Sequence, residues 1–118
     1  MASLNTFGAI MTHAVNLESM LGDYYRQSGN NERAQAADKR KQKMERIRRE
    51  SVLEITLEPI EGLDEADYAL NVDDTSAAGQ QAIESVAARF YAEVAPKINV
   101  RQAQRALERA GKEHSALT

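Results

Sequence analysis

Nine residues of this 118-residue chain occur nearly twice. Leu17-Glu18-Ser19-Met20-Leu21-Gly22-Asp23-Tyr24-Tyr25 returns 66 positions later as Ile83-Glu84-Ser85-Val86-Ala87-Ala88-Arg89-Phe90-Tyr91, with Glu, Ser and the last Tyr identical and three further positions conservatively matched. In each copy Glu and the final Tyr are seven residues apart, two turns along one helical face, so the doubling predicts a duplicated helical hairpin. Each copy also sets one carboxylate among apolar residues. A carboxylate taken out of water needs a partner, so the repeat predicts a polar site at the centre of a helical fold.

Composition points the same way. With 5% aromatic residues and no Trp, the core has to be filled by Leu, Ile, Val, Met and Ala. The abundance of Ala, Leu, Glu, Gln, Arg and Lys favours helices over a β-sandwich. The length suits one domain, residues 1–118, able to bury roughly two-thirds of its unfolded surface. The chain has no Cys, which excludes disulfides and thiolate metal sites. No apolar run approaches the roughly 20 residues of a membrane span, and Met1 to Met11 lacks a basic region and a clear cleavage site, so a soluble cytoplasmic protein is expected.

A net charge of -3 gives no overall attraction to nucleic acid or acidic lipid, but the charge is unevenly placed. Lys39 to Arg49 holds seven basic residues and one acidic one; Glu54 to Asp74 holds eight acidic residues and no basic ones. These opposite segments can neutralise one another within the chain or between two chains about a two-fold axis, and a homodimer is expected. The basic run is a solvated helix face in its plain reading. Read functionally, it is an anionic-partner or nucleic-acid patch, although no aromatic interleaves it, which argues against single-strand binding.

Apolar periodicity predicts four helices. Helix 1 runs from Ser3 or Asn5 to Gln27, with Phe7, Ile10, Met11, Ala14, Leu17 and Leu21 inward, and ends at the turn Ser28 to Asn31. Helix 2 begins near Asn31 and is expected to reach Glu58, where Pro59 stops it; Val52 to Leu57 leaves a short strand as the lesser reading. A long connection follows, with a helical turn in Asp64 to Leu70. Helix 3 starts from a cap at Asp74, Thr75 or Ser76 and ends before Pro96, and helix 4 runs from an Asn99 cap to Ala116. Short, long and short connections make two antiparallel hairpins joined by one crossover.

Leu17-Glu18 to Tyr24-Tyr25, Ile83-Glu84 to Phe90-Tyr91, and Lys112-Glu113-His114 resemble the ferritin-like di-iron carboxylate superfamily, especially its rubrerythrin-related members. The resemblance covers about residues 7 to 53 and 77 to 117. It implies an all-α, ferritin-like antiparallel four-helix bundle in which a Glu from each of two helices joins a Glu-x-x-His motif from each of the other two around a metal pair. Glu18 and Glu84 fall at the single-Glu positions. The second motifs are broken: Glu45-Arg46-Ile47-Arg48 keeps the Glu but has Arg for His, and Gly111-Lys112-Glu113-His114 keeps the His but has Gly for Glu. The resemblance therefore implies a degenerate di-iron site, no cofactor, and a non-catalytic assembly or interaction module with a possible protein partner.

A guanidinium cannot ligate a metal, but its five donors can satisfy two carboxylates, so Arg48, Glu18 and Glu84 are expected to form a core ion-pair network. Removing Arg48 would then cost roughly 3 to 5 kcal/mol. In the alternative, Glu18, Glu45, Glu84 and His114 hold iron or manganese in a redox protein. Each residue also has a plainer reading. Glu18 and Glu84 can lie at the stripe margin with carboxylates in water, His114 near the C-terminus is a surface imidazole, and His13 has no evident partner. No phosphate loop, nucleophile elbow or paired-His motif is present, and an enzyme is not the favoured reading.

Overall fold

The computed structural model describes residue 4, residues 6–50 and residues 63–118. They form an all-α, four-helix fold: α1 (Phe7–Gln27), α2 (Asn31–Glu50), α3 (Ala77–Val94) and α4 (Arg101–Ser115), with 3₁₀ turns at Glu65–Tyr68 and Ala95–Lys97. The expected continuation of helix 2 to Glu58 and the strand reading of Val52 to Leu57 lie outside the described residues.

Local chemistry sets the helix ends. Thr6 caps α1, its hydroxyl accepting from the Ala9 amide at 3.0 Å. Gly29, at φ 79°, takes the left-handed conformation that lets the chain reverse after α1. Asn30 then accepts from the Arg33 amide to open α2. Ser76 caps α3 by accepting from the Gly79 amide, and Asp74 in turn holds the Ser76 hydroxyl at 2.6 Å. This cap needs glycine at 79, because a Cβ there would stand 2.2 Å from the Asp74 carbonyl oxygen. Pro96 ends α3 as expected. At α4 the N-cap position falls on Val100, one residue beyond the expected Asn99, and no side chain caps it.

Side-chain bonds fix the helix directions. Along α1 and α2, Thr12 meets Arg48, Glu18 meets Arg40 and Arg26 meets Asp38, so the first hairpin is antiparallel. Along α3 and α4, Glu84 meets His114 and the Ala95 carbonyl meets Gln104, so the second is too. Glu18 meets Tyr91 while Tyr25 meets Glu84, which makes α1 and α3 antiparallel to each other. Residues 63–74 run the length of α1 as a crossover: the Leu4 amide donates to the Leu63 carbonyl, Tyr68 lies beside His13 and Phe90, and the Tyr24 hydroxyl donates to the Asp74 carbonyl at 2.6 Å. This strap covers the α1/α3 seam. The α2/α4 seam is on the opposite face. No helix among the described residues is long and apolar enough to cross a membrane.

Candidate functional site

Apolar residues from all four helices enclose the centre, with Ile10, Met11, Leu21, Met44, Ile47, Phe90 and Leu107 wholly or almost wholly buried. Within it lie two carboxyls, one guanidinium and one imidazole: Glu18, Glu84, Arg40 and His114. The repeat explains the first layer of contacts. Since α1 and α3 are antiparallel, the Glu of each copy faces the Tyr of the other: the Tyr91 hydroxyl donates to Glu18 Oε2 and the Tyr25 hydroxyl to Glu84 Oε1, both at 2.5 Å. These are short charge-assisted bonds from neutral donors.

The second layer supplies positive charge. Arg40 on α2 donates through Nε to Glu18 Oε1 at 2.9 Å and through Nη1 to Glu113 Oε1 at 3.0 Å. The His114 ring on α4 lies between the carboxylates, its Nδ1 2.5 Å from Glu84 Oε2 and its Nε2 2.8 Å from Glu18 Oε2. It stacks on Tyr91, with ring centroids 5.6 Å apart and planes within 5°. A neutral imidazole has one N–H and would turn a lone pair toward one carboxylate; an imidazolium donates to both.

The electrostatics agree with that protonation. Burial works against the charged His114, but its bonds to Glu18 and Glu84 and the charge of Glu18 overcome this and raise its pKa. Burial likewise opposes ionisation of Glu18, yet His114, Arg40 and Tyr91 together hold its carboxyl below the ordinary value. Burial first, and then the neighbouring Glu18, push the Tyr91 hydroxyl up, so it stays a donor. Tyr25 is raised by burial and by Glu84. Two carboxylates thus face one guanidinium and one imidazolium inside a ring of helices.

Glu18, Glu84 and His114 are brought together as a set, and the expected surface position of His114 is overturned: it is fully buried, because the last turn of α4 packs against Tyr91 and both carboxylates. Arg48 is not in the network. Its Nη1 bonds the Thr12 hydroxyl at 3.1 Å on the exposed side of the first hairpin, and the guanidinium at the centre is that of Arg40, two turns earlier on α2. The reason is the course of the buried stripe. On α2 the buried stripe is Ala37, Arg40, Met44 and Ile47, so residue 48 falls at its margin. Arg40 could have been found from that spacing, since 37, 40, 44 and 47 recur at helical period. Glu45 is half-buried and makes no ion pair or hydrogen bond with the cluster among the described residues.

The residues do not fit a pair of divalent ions. Both imidazole nitrogens and all four oxygens of Glu18 and Glu84 are engaged by protein groups. Among the described residues no three His, Asp or Glu side chains are disposed to hold a metal ion. At position 111 a Cβ would stand 3.0 Å from Tyr91 Cβ, so a side chain there would require Tyr91 to shift. Comparisons with family models, curated proteins and solved structures returned no match.

Proposed function

We propose that this chain is a ferritin-like four-helix bundle whose metal centre has been replaced by protein cations, and that it works without catalysis, as an assembly or interaction module. One observation carries this reading: Arg40 and His114 supply the positive charge that the two central carboxylates require, leaving no donor atom of that set open. The crossover strap along α1 supports the ferritin-like topology, since a connection that returns along the whole fold is what separates this arrangement from a simple up-down bundle. Such a centre specifies and stabilises the fold. Chemistry would need an opening to a substrate, and Glu18, Glu84 and His114 are fully buried, with Arg40 the one member of the set that borders a surface groove.

The test is metal content and metal response. Protein purified without chelator is expected to carry no stoichiometric iron or manganese, and titration with either ion is expected to leave its thermal unfolding unchanged. Stoichiometric metal that disappears in Glu18→Ala would overturn the reading. It would favour instead a metal-binding redox protein, for which the convergence of Glu18, Glu84 and His114 within 2.8 Å is the supporting observation; Arg40 would then have to swing away from Glu18.

A further inference from the structure

Two opposite faces of the molecule carry opposite charge. The seam between α2 and α4 is a groove of about 250 Å³, lined by Ala36, Met44, Ala106 and Ala110 and by the ion-paired Arg40 and Glu113. Lys39 and Lys43 on one rim and Arg109 on the other border it. Neither lysine makes an ion pair among the described residues; Arg109 only reaches Glu113, at 3.6 Å. The strap on the far side carries Glu65, Asp67 and Asp73, all exposed and none ion-paired among the described residues. Beside Glu65 stands Met20, the exposed large apolar side chain of the described surface, at 42% exposure.

We propose that the acidic strap of one copy docks in the basic groove of another, with Met20 set against the alanines that line it. Cations on the rims meet Glu65 and Asp67, and the alanines let a neighbouring chain approach closely. Because strap and groove lie on opposite faces, a two-fold dimer cannot use both at once. The contact is head-to-tail, and it either closes a ring or propagates. This replaces the two-fold pairing of basic and acidic segments expected from the sequence. It deepens the reading of the chain as an assembly module by naming the partner and the surfaces.

Sedimentation of the full chain at low and high salt, with neutralised variants, tests the contact. At low salt the parent is expected to show a mass above the monomer that rises with concentration, and to return to monomer at high salt. Lys39→Gln/Lys43→Gln and Glu65→Gln/Asp67→Asn are each expected to be monomeric at low salt with unchanged helical circular dichroism. Mixed in equal amounts, they should form a two-chain species and nothing larger, since only one native strap and one native groove remain. A parent that is monomeric at micromolar concentration overturns the proposal, as does self-association that survives either pair of substitutions, or a mixture that stays monomeric. Mass that collapses on nuclease treatment would also overturn it and assign the same cations to a nucleic acid. The metal measurement is independent: a monomeric, metal-free protein would sink this contact and leave the closed centre standing.

Discussion

The seam between α1 and α3 keeps the symmetry of the repeat, whereas α2 and α4 have departed from it. On the first seam each carboxylate contact has a twin: Glu18 with Tyr91, Glu84 with Tyr25, at equal distance. On the second the cations come from positions that do not correspond. The repeat offset pairs Arg40 with Ala106 and His114 with Arg48. The two hairpins therefore contribute identical acids and different bases. A carboxylate pair buried at a two-fold seam fixes the charge that must be supplied, but any cation that reaches it will do, so the supporting helices were free to diverge. Neutrality at the centre is the constraint, and symmetry is not.

The largest expected effect tests which arginine supplies that charge. Arg40→Ala removes the only guanidinium bonded to Glu18 among the described residues and leaves Glu113 with Arg109 alone. Leaving a buried carboxylate short of its cation costs about 3 to 5 kcal/mol, a large part of the stability of a domain this size. Urea unfolding of Arg40→Ala should show that loss, with Arg40→Lys recovering part of it because an ammonium restores charge without the Nε geometry. A loss under about 1 kcal/mol would mean that Arg40 is a surface group resting on the core.

The symmetric seam can be broken one side at a time. Tyr25→Phe and Tyr91→Phe each delete one hydroxyl donated to a carboxylate, a loss of about 1.5 to 3 kcal/mol. They are not expected to be equal. Without Tyr91, Glu18 keeps Arg40 and His114; without Tyr25, Glu84 keeps His114 alone and its Oε1 is stranded. Tyr25→Phe should be the more damaging by denaturant midpoint. Equal losses would show that the second layer of cations does not distinguish the two acids.

Protonation gives a further test with its own sign. The folded state holds the His114 proton more tightly than the unfolded chain does, despite burial, because of Glu18 and Glu84. The stability this group contributes is therefore full below the ordinary imidazole value of about 6.5 and is lost as pH rises through the raised folded value. Glu18, whose folded value is lowered, acts in the opposite sense: its contribution is present above the ordinary carboxyl value and is lost as pH falls through the folded one. Stability should form a plateau with a limb on each side. In His114→Gln the loss that sets in above about pH 6.5 should vanish, leaving the acid limb and, above about pH 10, the loss contributed by Tyr25 and Tyr91, whose folded values are raised; an unchanged loss between those two values would assign it to another group.

Much of the helical layout was legible because periodicity and caps are local signals. The Ser28–Asn30 turn, the Ser76 cap, the stop at Pro96 and the inward stripe of α1 follow from spacing and turn chemistry alone. Glu18, Glu84 and their tyrosines were legible through the repeat. The arginine was not, because the repeat itself misleads there: aligning residue 48 with His114 assumes that α2 and α4 present the same face. They do so at Ala37 and Ala103, at Arg40 and Ala106, and at Met44 and Ala110, all buried, but not in the last turn, where Ile47 is fully buried and its twin Glu113 is 44% exposed. A stripe that drifts across a helix face leaves no mark on a sequence alignment, only on the burial pattern, where the 37, 40, 44, 47 spacing carried it.

That drift of the stripe makes the smallest prediction the sharpest one for the comparison between hairpins. If α2 matched α4, Arg48→His would place a second imidazole beside Glu18 in the way His114 stands beside Glu84, and the centre would acquire a metal ligand. With Ile47 turned inward and Arg48 bonded to Thr12, the substitution exchanges one half-exposed hydrogen bond for another. It should change stability by less than about 1 kcal/mol. Added iron or manganese should not raise the unfolding temperature of the variant, even in combination with Gly111→Glu, whose new side chain must start 3.0 Å from Tyr91 Cβ. The check is thermal unfolding of the parent, the single variant and the double variant with and without metal. A metal-dependent rise confined to the variants would show that residue 48 does reach the cavity, that α2 can present residue 48 as α4 presents His114, and that the asymmetry between the hairpins is a property of Arg48 and not of the helix that carries it.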